Sequence, residues 1–204
     1  FCSDNGAHCD MSSQKPFRSG KGSYFEGGIR EPLVVRWPGK IALNSSCSVP
    51  VIATDFYPTF LEAAGLPVPA GKVLDGVSLM PLLTQSGSIA ERTLFWHFPV
   101  YLQAYKGAAD DSHDPLFRTR PGSALRQGKW KFHEYFEDGR IELYDLEADT
   151  GERTNIAANH PEKAAALHAQ LKQWRTEVNA PVPIKKNPQY NPDFKGGKKR
   201  KGKK

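Results

Sequence analysis

Ser123-Ala124-Leu125-Arg126-Gln127-Gly128-Lys129-Trp130-Lys131-Phe132-His133-Glu134-Tyr135-Phe136, followed after Glu137-Asp138-Gly139-Arg140 by Ile141-Glu142-Leu143-Tyr144-Asp145-Leu146, is the stretch whose reading decides the fold. It holds three short runs rich in apolar and aromatic residues. Gly128-Lys129 and Asp138-Gly139 separate them, and such pairs make tight hairpin turns. The pattern predicts three antiparallel strands over 123–127, 130–136 and 141–146. In the middle run Trp130, Phe132 and Glu134 alternate with Lys131, His133 and Tyr135, as expected of a half-exposed antiparallel strand.

Downstream, a helix is expected from about Pro161. Ala164, Leu167, Leu171, Trp174 and Val178 fall on one face at helical spacing, with Glu, Lys, Gln and Arg opposite. The sheet and this helix make a small α+β unit. Residues 181–192 are proline-rich, and Lys195 to Lys204 form a Lys/Gly tail expected to be disordered. Upstream the texture differs. Ser3 to Gly22 is rich in Gly, Ser, Asp and Asn and reads as a long loop, the kind that often carries function. Pro32-Leu33-Val34-Val35-Arg36-Trp37, closed by Pro38-Gly39, reads as a buried strand and turn. Phe56, Phe60, Leu61 and Ala64 predict a helix, with Asp55 as its cap, Pro58 in the first turn and Gly65 at its end. Residues 74–83 are expected to pack as an irregular apolar segment. The expected organisation is an α/β edge over 1–92, the antiparallel sheet with its helix over 93–180, and the extension and tail over 181–204.

Lys and Arg number 28 against 22 Asp and Glu, but seven of those positive charges lie in Lys195–Lys204, leaving 21 basic residues against 22 acidic in the body. The high isoelectric point therefore belongs to the tail and gives no reason to expect a nucleic-acid-binding core. The tail retains a capacity to contact polyanions, without aromatic residues beyond Phe194 to stack bases. Cys2, Cys9 and Cys47 are too few and too irregular for a disulfide framework or a zinc site; a Cys2–Cys9 bridge and buried thiols are both open. Asn44-Ser45-Ser46 fits a glycosylation sequon. Phe1 opens within what reads as a strand end, so the sequence is expected to be a piece of a longer polypeptide.

Two segments carry chemistry. Ser3-Asp4-Asn5-Gly6 sets a carboxylate beside an amide oxygen, hard ligands of the kind Ca²⁺ or Mg²⁺ prefers, although Asp-Asn-Gly is also a common turn. In Gly20-Lys21-Gly22 a cation is flanked by residues without side chains, so its ammonium can approach an anion closely. Gly27-Gly28 allows tight packing beneath it, and Arg30 and Glu31 are expected to make structural ion pairs. His8 is placed to line an anion pocket or to be an ordinary loop histidine. His97, in the aromatic run Leu94 to Pro99, faces substrate or sits at a core edge. His113, His133, His160 and His168 read as structural or exposed. Arg118, Arg120 and Arg126 are candidates for an acidic sugar.

These residues carry a resemblance. Phe1-Cys2-Ser3-Asp4-Asn5-Gly6, then Gly20-Lys21-Gly22-Ser23-Tyr24-Phe25-Glu26-Gly27-Gly28-Ile29-Arg30-Glu31-Pro32 and Trp37-Pro38-Gly39, resemble the formylglycine-dependent sulfatases of the arylsulfatase type, in the alkaline phosphatase-like superfamily. Asp55-Phe56-Tyr57-Pro58-Thr59, Leu74 to Leu79, Leu94 to Pro99 and Gly128 to Leu146 continue it in order. The resemblance implies an alkaline phosphatase-like α/β edge and hydrolysis of sulfate esters, on a sulfated carbohydrate or a small sulfate ester. It implies a divalent metal, usually Ca²⁺, held in part by Asp4 and Asn5, and sulfate binding by Lys21. It also implies secretion or a periplasmic location. The family nucleophile is a formylglycine made from Cys or Ser in Cys/Ser-x-Pro-x-Arg. None of the three cysteines fits that motif, so the nucleophile is expected upstream and the chain alone is expected to be inactive. A phosphodiesterase or phosphonate hydrolase of the same superfamily is the alternative enzyme. A polyanion-binding module acting through the tail is the alternative of another class.

Overall fold

A computed structural model describes residues 1–103, 117–185 and 188–189. His113, Phe194 and the Lys195–Lys204 tail lie outside the described residues. The elements run α1 (Glu26–Ile29), α2 (Phe56–Ala63), α3 (Met80–Leu83), β1 (Thr93–Phe98), β2 (Leu102–Gln103), β3 (Phe117–Thr119), β4 (Gly122–Gln127), β5 (Trp130–Tyr135), β6 (Ile141–Asp145) and α4 (Pro161–Glu177). Strands β1, β4, β5 and β6 form one antiparallel sheet in that order, and β2 pairs with β3. The architecture is mixed α/β. No helix of the described residues is long and apolar enough to cross a membrane.

The two hairpins form where the turn residues require them. Gly128 and Gly139 both take positive φ, at 56° and 71°, which costs a side-chain-bearing residue energy and glycine little. The register places Leu125 opposite Phe132, and Phe132 opposite Leu143. These three join Ala164, Leu167 and Leu171 of α4 in one core. Phe95 of β1 lies against Trp174 with its ring centroid 4.7 Å away.

Four expectations are corrected. The β5 strand is not half-exposed: Lys131 and His133 are as buried as Phe132, and Tyr135 is buried too, because residues 18–30 cover the sheet face opposite α4. The buried α4 face ends in Arg175, not Val178; Arg175 reaches Glu134 at 2.6 Å while Val178 is exposed. Asp55 does not cap α2. Its carboxylate turns away to accept the amides of Ile52 and Val77 and a bidentate Arg92, which together outweigh burial and hold its carboxyl below the usual range. Residues 32–37 form no buried strand. Phe1 and Val34 exchange backbone hydrogen bonds at 2.7 and 2.8 Å, and Leu33 makes a single bridge to Cys2. Val34 stays 61% exposed, because an apolar run is buried only where a second layer covers it. Cys2, Cys9 and Cys47 are free thiols, so the Cys2–Cys9 bridge is not formed. Strand β1, over the aromatic run, was not anticipated as a strand.

Candidate active site

The segment carrying Lys21 is held from below by buried charge. Glu26, at the start of α1, is 1% exposed. Its carboxylate takes the ammonium of Lys131 at 2.9 Å and the guanidinium of Arg126 at 3.2 Å. Its backbone N–H donates to the carboxylate of Glu152. Glu152 is fully buried, with positive φ of 52°, and lies 3.7 Å from Lys131 and 3.3 Å from His133. Burial alone would raise the Glu152 carboxyl; Lys131 and His133, with the Glu26 amide, outweigh it and hold it below its ordinary value. Arg18 donates to the Glu152 carbonyl at 2.9 Å and stacks over Phe25. Tyr24 reaches the carbonyls of Phe98 and Gly122, and burial raises its hydroxyl well above the ordinary tyrosine range. The expected ion pairing of Arg30 is found with Glu26 at 3.8 Å. Glu31 makes no ion pair with a described residue; burial raises its carboxyl, a hydrogen bond from Ser3 opposes this, and the charge of Asp4 adds to it.

On this platform two loops lie side by side. The amide of Gly6 donates to the carbonyl of Gly28 at 3.2 Å, and the amide of Lys21 donates to the carbonyl of Ala7 at 3.0 Å. The approach depends on absent side chains. A Cβ on Gly6 would lie 2.1 Å from the Gly27 carbonyl oxygen, and one on Gly28 would lie 2.6 Å from that of Gly20. Asp4 and Asn5 therefore stand directly before the residues locked to the Lys21 loop, and His8 directly after them. Lys21 itself is exposed. A third element closes on the same loop from the β2–β3 hairpin. Thr119 donates its hydroxyl to the Gly22 carbonyl, and Arg118 Nη1 lies 3.4 Å from the Lys21 carbonyl. Gly22 has φ of 89°, and a Cβ there would strike Leu102 of β2.

Of the residues singled out in the sequence, Asp4, Asn5, His8 and Lys21 are brought to one place. His97 is not. It lies on the α4 face of the sheet, opposite the face covered by residues 18–30. Its Nε2 must donate to the Pro181 carbonyl at 2.9 Å, so Nδ1 accepts from Ser123 at 2.8 Å. Burial lowers its pKa, with the nearby Arg175 adding to this and the Pro181 contact opposing it, so the ring is neutral. Arg126 is committed to Glu26 and Arg120 to Glu137, leaving Arg118 as the member of that trio against the Lys21 loop. The buried set of Arg18, Glu26, Lys131, His133 and Glu152 was missed. The signal available was weak: charged residues on the strand face whose alternation otherwise suggested solvent.

Known proteins resolve the class. A family model described as N-sulphoglucosamine sulphohydrolase, C-terminal, matches residues 20–179. A sulfatase of Formosa agariphila is 34% identical over 199 residues, spanning 90% of this chain and 34% of that protein. Human arylsulfatase A is 31% identical over 212 residues, spanning 89% of this chain and 38% of that protein. Among solved structures, that of Ps i-CgsB aligns with a TM-score of 0.67 at 26% identity, covering 85% of this chain and 35% of the other. That of BT4656 with its substrate D-glucosamine-2-N,6-O-disulfate aligns at 0.60 and 26%, covering 78% and 31%. The fold is that of the C-terminal part of a sulfatase of the alkaline phosphatase-like type. The chain belongs to the N-sulphoglucosamine sulphohydrolase C-terminal family. It spans about a third of the length of the curated relatives it matches.

Proposed function

We propose that the protein containing this chain is a sulfuric ester hydrolase acting on sulfated carbohydrate or a small sulfate ester. Within it, this chain would supply the sulfate-binding cation and part of a divalent metal site. The observation that carries this reading is the glycine-dependent locking of the Asp4-Asn5 loop to the Lys21 loop. It supports one composite site from two segments that are separate in sequence.

Lys21 would bind a sulfate oxygen. Its neighbours Gly20 and Gly22 remove bulk on both sides, and the residue is exposed. As the S–O bond breaks, negative charge grows on the sulfuryl and leaving-group oxygens, and a fixed ammonium there lowers the barrier. The donor chemistry of Asp4 and Asn5 fits a hard cation. The charge of Asp4 also acts on the carboxyl of Glu31, a repulsion that positive charge would relieve. Bound at these residues, a divalent ion, Ca²⁺ by family, would supply positive charge to the sulfate oxygens. Among the described residues no group of three His, Cys, Asp or Glu could hold a metal. The remaining ligands are therefore assigned to the part of the longer relatives that this chain does not span. The same holds for the formylglycine, since no Cys or Ser in the sequence has both Pro and Arg at the second and fourth following positions. His8 would line the sulfate pocket; for His97 the geometry supports a structural role.

The test is Lys21→Ala in the full-length polypeptide, assayed on a chromogenic aryl sulfate at an unchanged melting temperature. Loss of one preorganised charged contact is expected to lower turnover by about a hundred- to thousandfold. A folded variant with near-normal turnover refutes the role of Lys21. Turnover by the chain alone refutes the division of the site.

A further inference from the structure

Arg18 and Glu26 bound the loop that carries Lys21, and Glu152, in the connection between β6 and α4, holds both of them. Its carbonyl accepts from Arg18 Nη1 at 2.9 Å, and its carboxylate Oε2 accepts the backbone N–H of Glu26. All three residues are at most 1% exposed. The two ends are also joined to each other. The N–H of Gly27 donates to the Arg18 carbonyl at 3.0 Å, and the Arg18 guanidinium lies 4.2 Å from the centroid of the Phe25 ring. A Cβ on Gly151 would come within 3.1 Å of the Pro16 carbonyl oxygen, so the connection runs close to the start of the loop. Glu152 meets both partners with φ of 52°. That conformation costs a side-chain-bearing residue energy and persists where the surroundings enforce it.

We infer that Glu152 is a positioning residue of the candidate site: by holding both ends of the Lys21 loop, it sets that loop against the Asp4–Ala7 loop. The catalytic consequence rests on the proposed sulfatase reading; the geometric one does not. The route is short. The Gly28 carbonyl, two residues beyond the Glu26 amide, takes the amide of Gly6 at 3.2 Å. The amide of Lys21, three residues after Arg18, donates to the Ala7 carbonyl at 3.0 Å. Release of the Glu26 amide frees the backbone that carries the first contact, and release of Arg18 frees the backbone that carries the second. The hold depends on reach as well as charge, because the Glu26 amide needs an acceptor at the length of a glutamate side chain.

The experiment compares Glu152→Gln with Glu152→Asp in the full-length polypeptide. Glutamine keeps the reach and an acceptor oxygen but loses the charge; aspartate keeps the charge but loses the reach. Amide hydrogen exchange is followed over residues 18–28 and over β4–β6, and turnover on an aryl sulfate and a sulfated hexosamine. In Glu152→Asp, exchange over 18–28 is expected to rise about ten- to hundredfold, the scale of one hydrogen bond to a charged group, while β4–β6 is unchanged. Its kcat/KM is expected to fall about a hundredfold, the scale of a misplacement of about 1 Å. Glu152→Gln is expected to stay close to wild type in both measurements. The reverse order of the two variants shows a purely electrostatic role and overturns the inference. So does exchange that rises equally over the loop and the sheet, or that rises in neither variant. A local rise without a fall in turnover overturns its catalytic part. If the aspartate variant does not fold, Glu152→Gly, for which positive φ costs little, is read in the same way. Failure of both to fold makes Glu152 a folding requirement and overturns the inference. Absence of turnover by wild type overturns the sulfatase reading and leaves the exchange result to decide the positioning role.

Discussion

The two faces of the β1-β4-β5-β6 sheet solve the same problem with opposite chemistry. Under α4, Leu125, Phe132 and Leu143 meet Leu167 and Leu171 in an apolar layer. Under residues 18–30, Lys131 and His133 meet Glu26 and Glu152 in a charged one. The apolar face joins elements near in sequence and draws its strength from area removed from water. The charged face joins the sheet to a segment more than a hundred residues earlier. Buried charge tolerates few alternative arrangements, since every displaced partner leaves an uncompensated ion. The helix face thus holds the unit together, and the charged face fixes where the Lys21 loop sits upon it.

The largest effect expected from breaking this contrast comes from Lys131→Met. Removing the ammonium leaves Glu152 and, in part, Glu26 without compensation, and urea unfolding is expected to show a loss of about 3–5 kcal/mol. The double variant Lys131→Met, Glu152→Gln is expected to recover a measurable part of it. A single-variant loss below about 1 kcal/mol would mean that the charged face has no such hold. On the other face, Leu171→Ala removes a fully buried side chain and is expected to cost about 2–5 kcal/mol. No substitution elsewhere should rescue it as the glutamine does.

A third measurement separates the faces by pH. The folded pKa of Glu152 lies below its unfolded value, so its contribution is present above the unfolded pKa of about 4.3 and is lost as pH falls through the folded value. Glu152→Gln is therefore expected to flatten the decline of stability below about pH 4.3, whereas Leu171→Ala shifts the whole curve without changing its slope. An unchanged slope in Glu152→Gln would show the carboxylate to be unimportant there. The smallest effect is expected from Val178→Ala, within about 0.5 kcal/mol by the same unfolding assay, because its side chain is exposed beyond the last buried turn of α4.

The apolar face was legible in the sequence because its signals are local. Gly128 and Gly139 mark the turns, and the spacing of Ala164, Leu167 and Leu171 marks the helix. The charged face was not legible. Lys131, His133 and Tyr135 carry the alternation of a solvent-facing strand, and nothing within the run announces that residues 18–30 return to cover it. Val178 was misplaced for a related reason: periodicity puts it on the apolar face, while the sheet ends one turn earlier and Arg175 takes the last buried position to reach Glu134. Asp4, Asn5 and Lys21 stood out in the sequence as residue types suited to the roles proposed for them. Their proximity did not, because backbone hydrogen bonds between glycine-rich loops leave no side-chain pattern. His97 shows the converse, a residue whose aromatic setting left substrate contact and a core-edge place both open and whose two ring nitrogens are both engaged within the fold.

The glycine cradle beneath the two loops has a consequence for anyone who wishes to retarget such a protein. Gly6, Gly27 and Gly28 each leave 2.1 to 2.4 Å between a would-be Cβ and a neighbouring carbonyl oxygen. Even alanine at these positions would push one loop off the other, so variant libraries spread over the cradle would consist mostly of damaged molecules. The β2–β3 hairpin touches the same loop through side chains at Arg118 and Thr119 and through Leu102. Substitution of the half-buried Arg118 side chain would alter the surface beside the Lys21 loop while the spacing between the loops stays as the glycines set it.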